Sequence, residues 1–523
     1  MIAFAVLSGP LPKLGVIVVA LLAGGAMLGR EPVRRASMMF GALVLAPVLL
    51  LADIWHSPQL GVIHRHPLEA ALGAAVLVAL LVALAVLLAR RPRWLGPLAV
   101  LALPFRVPIL AGGSTANLLV PLYFVIAGGC LAWCVPVLWR ARSGRSPRAA
   151  DQGAQDGAGP HFFEKALAAY VVLYALQAPY SADFETALQN MVFFYVPFAL
   201  LYRLLRDLRW NRELIIRCLG VTVVLAVLFA CVGYVEYATK TLLLNPSLVA
   251  RADVHQYFTV NSVFFDPDIF GRYLALVMIL VVAVLLYDQR RRVQIGSVLV
   301  LAILWAGLVL TLSRSSLGAL LLGLAVLAAV RWKVWPVVSA AGVVIVVGLI
   351  ALAISPKTFG LNQGLNGASS GRANLVSGGA RMFSQRPLYG YGSGAFVVQY
   401  RRENKLGPSS LAASHTIPIT IAAEQGLIGE IVYLVLVIAA VITLFRGTRS
   451  DPVRATVAAA FLALLLHTML YADFLEDPVT WTLMAIGAEL AVQSYRARRA
   501  QEAERRRLRR ATAPGARTQP AAS

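Results

Sequence analysis

The residues able to do chemistry gather in one polar stretch, Ser355 to Glu424, set between long apolar runs: Arg372, Arg381, Arg386, Arg401, Arg402 and Lys405, with His415 near its end. Loops of this length are uncommon between packed elements unless they bind or catalyse something. Guanidinium groups are suited to phosphate oxygens, and a histidine beside them can accept a proton. His415 precedes TIPITIAAEQGLIGE, where Pro418 fits the first turn of a helix. The imidazole therefore sits at the positive end of that helix dipole, where the neutral, proton-accepting form is favoured. Glu424 is the second candidate base, because surroundings can tune a carboxyl toward neutrality. Arg372 and Arg386 are the loop cations expected to face a substrate, while Arg381 reads as solvated. Arg401, Arg402 and Tyr391 are candidate acceptor or loop contacts.

Two shorter stretches add to this set. In NSVFFDPDIFGRY, Asp266, Pro267 and Asp268 make a good helix start, since proline suits the first turn and acids suit the positive dipole end. Arg272, one turn further in, is not explained by a helix start and must either snorkel or face a polar cavity. TLSRSS, Thr311 to Ser316, interrupts two apolar runs with no room for a loop. It places Arg314 among serine hydroxyls at a tight turn, again a phosphate-suited setting. GYGSG, Gly390 to Gly394, lacks the preceding strand a nucleotide loop needs, so its glycines are expected to let the backbone approach a ligand or the membrane closely.

The frame that must position these groups is membrane. Hydrophobic residues make up 59% of 523 positions and charged residues 14%, far from the roughly one-quarter charged of soluble chains. Apolar runs long enough to cross about 30 Å of hydrocarbon recur along the chain. About 14–15 transmembrane helices are expected, from 12–29 through 94–112 and 334–354 to 478–495. A helix from Pro418 to Phe445 would be about 42 Å long, more than the hydrocarbon needs. It sets Glu424 near the interface and Glu430 deep inside. Arginine clusters at Arg30 to Arg35, Arg90 to Arg93, Arg140 to Arg148, Arg203 to Arg217, Arg290 to Arg292 and in the tail mark alternate connections as cytoplasmic. The N-terminus is then outside, the loop 355–417 extracytoplasmic and the C-terminus cytoplasmic. That pattern accounts for most of the +22 net charge, and no nucleic acid is expected.

The compositional shift at 141–160, a cytoplasmic linker, separates an N-terminal five-span bundle (1–140) from a larger membrane domain (161–495). A basic tail, 496–523, is expected to lie on the anionic inner leaflet and end in disorder. Cys130, Cys134, Cys218 and Cys231 fall inside expected spans, so neither disulfide nor metal is expected. His56, His64 and His66 lack ligand partners nearby in sequence and read as interfacial loop residues. No cofactor is implied.

TLSRSS, then an arginine-bearing amphipathic loop with RPLYGYGSGAF, then a histidine before a helix containing EQGLIGE, resembles the O-antigen ligase and polymerase family of integral membrane glycosyltransferases. The likeness spans about Asp266 to Phe445. It implies an all-α polytopic fold of the kind shared by family C-like glycosyltransferases, with short amphipathic helices in one large outer loop. It also implies a polyprenyl-diphosphate-linked glycan donor, a saccharide or other envelope acceptor and a place in the bacterial cytoplasmic membrane. By position, Arg314 and Arg272 would contact the diphosphate and His415 would be the base. Thr416 stands where the family often has asparagine.

The chemistry suits the residues independently: charge building on a leaving diphosphate can be stabilised by fixed arginines in a water-poor cleft without a metal. An inverting ligase or polymerase is therefore the first reading. A transporter or flippase of a lipid-linked or anionic precursor is the alternative, against which stands the clustering of ionisable groups at one face and the lack of an internal repeat. A scaffold whose loop binds another envelope protein is the third.

Overall fold

Apolar runs with no water to satisfy their backbone groups become helices. The computed structural model describes residues 9–54, 65–111, 114–144, 162–243, 258–332, 334–336, 339, 372–407, 416–471 and 474–512. The chain is a predominantly helical, multi-pass membrane protein, and among the described residues eleven helices are long and apolar enough to cross a membrane. They begin with α1 (Pro10–Leu28), α2 (Pro32–Ile54) and α3 (Pro67–Arg90), each opened by a proline that needs no hydrogen bond at the first turn.

The run 94–112 departs from the expected span. Leu95–Ala102 forms α4, which ends two residues before Pro104, and the chain then enters an antiparallel hairpin of β1 (Val107–Ala111) and β2 (Ser114–Leu118), with Val107 opposite Leu118. Hydropathy counts the run as a crossing, but prolines at 104 and 108 deny it helix donors. A full-length helix, α5 (Val120–Arg142), follows.

Next come α6 (Phe162–Gln177), α7 (Phe184–Asn190), a π-turn at Met191–Tyr195, and α8 (Val196–Arg206), the last three reading as one crossing. Then follow α9 (Arg212–Thr239), α10 (Pro267–Tyr287), α11 (Arg291–Leu310) and α12 (Arg314–Arg331). Two amphipathic helices of the large loop, α13 (Arg372–Gln385) and α14 (Phe396–Glu403), precede α15 (Ile417–Phe445), α16 (Pro452–Leu470) and α17 (Pro478–Thr512). With 16 residues α6 is short for a span, and α17 runs without a break from apolar sequence into the basic tail. Most of the expected span 334–354, loop positions 355–371, His56, His64, the greater part of the linker and the last residues of the tail lie outside the described residues.

The first helices pack on the later ones, α1 against both α6 and α8. At the arginine-rich end, the buried Glu164 of α6 accepts from Tyr202 Oη at 2.8 Å and Arg206 Nε at 2.9 Å, and Arg206 also pairs with Glu489 of α17. Arg35 of α2 reaches Asp207 at 3.5 Å and stacks on Trp133 of α5. At the other end α10, α12 and α16 meet closely because small residues line the contact. A methyl group on Gly271 would lie 2.7 Å from Ser316 Oγ, and one on Gly323 would lie 2.2 Å from Ile279.

Candidate functional site

The end of the bundle away from the arginine clusters carries a polar knot made by three helix ends. Asp266 caps α10, its Oδ1 accepting from the Asp268 amide at 2.7 Å, while its Oδ2 accepts from Tyr471 Oη at 2.6 Å. Burial pushes the Asp266 carboxyl above its ordinary range, and the Tyr471 hydroxyl pulls the other way. The Asp268 carboxylate takes the hydroxyls of Ser313 and, at 3.1 Å, Ser315. Ser315 and Ser316 Oγ each lie 3.2 Å from Nε2 of the fully buried His467, in the last turn of α16. The serines of TLSRSS thus bond within the protein, fastening α12 to α10 and α16. Arg314, in their midst, is exposed.

One turn below Asp268 lies Arg272, which is buried at 3% exposure. Its Nη2 sits 2.7 Å from Asp477, itself buried, and its Nη1 is buried with no hydrogen-bond partner among the described residues. Both residues line a cavity of about 1240 Å³ between α4, α9, α10, α16 and α17. The walls are chiefly Leu, Val, Ile and aromatic side chains, and the far mouth carries Arg212, Asp288, Arg290 and Asp451. From Arg272 to Tyr287 along α10 is about 22 Å at 1.5 Å per residue, so the cavity follows most of the hydrocarbon thickness. Of the two options for Arg272, a cavity is the one realised.

The large loop is built differently. α15 is broken at Gly426, whose φ of +65° leaves the helical region. The loop repairs the break: the carbonyls of Ala423 and Glu424 accept from the Tyr391 and Gly392 amides at 3.2 and 2.7 Å, and the Leu427 amide donates to Pro387 at 2.7 Å. Glycine is required for this approach. Gly390 and Gly392 hold φ of +65° and +95°, and a Cβ on either would come within 2.2 Å of the Glu424 carbonyl and of Ser181 Cα, respectively. These glycines bring the loop onto α15 and the α6–α7 turn, which corrects the expectation that they meet a ligand or the membrane. The helix expected from Pro418 to Phe445 is present with this kink at Gly426.

Glu424 is buried, and its two oxygens accept the amides of Gly394 at 2.8 Å and Phe396 at 2.9 Å. Both are engaged by the loop. Tyr391 is buried too, its hydroxyl bonded to Gln385 and its ring covered by the Arg386 guanidinium at 4.5 Å. Arg386 itself is exposed. Arg372 opens α13, and Arg401 and Arg402 close α14, half-buried and exposed, respectively. Arg381, read as solvated, is exposed but bonds Asn404 at 3.0 Å and lies 3.5 Å from Glu403. Buried Oε2 of Glu430 has no hydrogen-bond partner among the described residues. His415 lies outside the described residues; its neighbour Thr416 is the residue before α15.

The structure thus brings Arg272 together with Asp477, and the serines around Arg314 together with Asp268 and His467. Four residues at this end of the bundle went unremarked in the sequence. His467 is hidden within an apolar run, Tyr471 ends that run, Asp477 reads as a helix-starting Asp-Pro, and Arg106, which lines the cavity, sits in what hydropathy scores as a span. The two Asp-Pro pairs, at 266 and 477, were the signal available. Among the described residues no group of three or more His, Cys, Asp or Glu is placed to hold a metal ion.

Residues 299–434 match the family model described as O-antigen ligase. The resemblance read from the motifs is borne out over that span, which includes Arg314, Arg372, Arg386, His415 and Glu424. Arg272, His467 and Asp477 lie outside it. No curated protein matches the chain.

Proposed function

We propose that the protein transfers a glycan from a polyprenyl-diphosphate-linked donor to a saccharide or other envelope acceptor, at the outer face of the bacterial cytoplasmic membrane. The observation that carries this reading is Arg272: a buried guanidinium with an open N–H at the head of a long apolar cavity. An apolar chain in the cavity with an anionic head at Arg272 satisfies both features. The family match over residues 299–434 supports glycan transfer at a membrane and lipid-linked glycans as the substrate class.

In this mechanism the acceptor hydroxyl attacks the anomeric carbon from the face opposite the diphosphate, and the C1–O bond breaks with inversion. The electron pair leaves on the diphosphate oxygen, where Arg272 and Arg314 stabilise it by fixed charge and no metal is called for. The acceptor proton goes to His415. Glu424, whose two oxygens each accept a loop amide, holds the loop in this reading. Arg372 and Arg386 extend the cationic surface toward the glycan, with Arg401, Arg402 and Tyr391 shaping the loop beside them. The segment 161–495 carries the transfer site, and the basic tail faces the cytoplasm.

The cavity's second polar mouth favours one other reading, passage of a lipid-linked precursor across the membrane. Purified protein in liposomes, given polyprenyl-diphosphate oligosaccharide and acceptor, separates them. Diphosphate release by the wild type, lost in His415→Ala with donor binding retained, is the expected result. Donor crossing between leaflets without any release overturns the transferase reading in favour of transport.

A further inference from the structure

The segment that fails to be a span is placed where it can matter. α4 stops before Pro104, and irregular backbone at membrane depth persists where it is buried in protein or lines a cavity. Val100, Leu103, Pro104 and Arg106 do line the cavity headed by Arg272. An aromatic chain ties the two cations to one end of it. Phe105 packs edge-on against Phe229 at 5.8 Å, and Phe229 lies 5.8 Å from Tyr273, the neighbour of Arg272. Phe229 is 17 residues above the far-mouth Arg212 on α9, about 25 Å along the helix.

Charge on the cavity lining at this end is unbalanced. Asp477 is engaged by Arg272, whereas Arg106 is half-buried and makes no hydrogen bond or salt bridge among the described residues. Two guanidiniums and one carboxylate line the cavity here, the carboxylate is paired with Arg272 alone, and the Arg272 Nη1 has no hydrogen-bond partner among the described residues. A single anionic group cannot use all of these donors, but a diphosphate can, with oxygens on two phosphorus atoms. We propose that Arg106 is a donor-binding residue that grips the lipid diphosphate together with Arg272. The N-terminal half, outside the matched family region, thereby supplies part of the donor site through its broken crossing. This rests on the polyprenyl-diphosphate reading above.

The test uses the full chain in nanodiscs of neutral lipid, with polyprenyl diphosphate and polyprenol of equal chain length as probes. In the wild type, modification of Arg106 by phenylglyoxal, read by peptide mass spectrometry, should slow several-fold with the diphosphate and not with the alcohol. Arg106→Ala should weaken diphosphate binding by about 10- to 100-fold, the span of a lost charge-assisted hydrogen bond, with polyprenol binding unchanged and Arg106→Lys in between. Equal diphosphate affinity in Arg106→Ala, or protection of Arg106 by phosphatidylglycerol as strong as by the diphosphate, overturns the assignment and leaves a lipid-anchoring arginine. Should Arg106→Ala not fold, the protection result on the wild type decides. A wild type that binds diphosphate no better than polyprenol would instead remove the donor reading itself.

Discussion

The cavity head and the glycine loop use the same residue types to opposite ends. At the cavity head a cation is buried with a donor left open, and its counterion is one carboxylate contributed by the start of another helix. In the loop a carboxylate is buried with both oxygens taken, while Arg386 and Arg402 point outward. Buried ionisable groups are costly in both places. In the loop the cost is offset by backbone amides, which yields rigidity. At the cavity head the compensation is incomplete, and the shortfall is what an incoming anion would fill. Incomplete satisfaction therefore points to function better than the number of charges does, since the loop holds more cations than the head.

The sharpest way to break this comparison is Arg272→Met. Removing one partner of a buried ion pair strands Asp477 and should cost about 3–5 kcal/mol, read as a lowered unfolding temperature in nanodiscs. Adding Asp477→Asn, which keeps the acceptor for the Val479 amide at the start of α17, should restore most of that stability. Donor binding should stay lost in the double variant. If donor affinity returns along with stability, Arg272 serves only to fasten α10 to α17.

Glu424 is the second lever. Its two backbone hydrogen bonds are charge-assisted, worth about 1.5–3 kcal/mol each before relaxation. Glu424→Ala should therefore release residues 387–396, seen as faster hydrogen exchange at the Gly394 and Phe396 amides, with turnover falling as a result; Glu424→Gln should keep part of both. A variant that exchanges like the wild type but loses turnover with an altered pH profile would return Glu424 to proton transfer.

What could be read in advance follows from where information is local. The helical crossings, the amphipathic helix from Arg372 and the caps at Asp266 and Pro267 rest on short-range patterning, and they were legible. Arg272 was legible as an oddity because a cation in the first turn opposes the dipole. The partners Asp477 and His467 were not, since pairing across some 200 and 150 residues leaves no local trace. The two amides that Glu424 accepts from the glycine loop were not legible for the same reason, since they come from residues some 30 positions earlier in the chain. The break at Pro104 was masked by averaging, which weighs apolar side chains and ignores missing backbone donors.

Arg386 should give the smallest effect on stability and so discriminates best between the two regions. Its guanidinium lies over the Tyr391 ring at 4.5 Å while remaining exposed, an arrangement worth about 0.5–1 kcal/mol. Arg386→Ala should thus barely move the unfolding temperature. If loop cations only extend a positive surface toward the glycan, turnover should fall a few-fold, and the loss should shrink at high salt as screening sets in. Arg386→Lys should then behave like the wild type, because a diffuse field needs charge and not a planar fork. A loss of a hundredfold or more, insensitive to salt and unrescued by lysine, would mean that the loop closes onto the donor and brings Arg386 into direct contact with it. The cavity head and the loop would then be two halves of one binding site, joined when substrate is present.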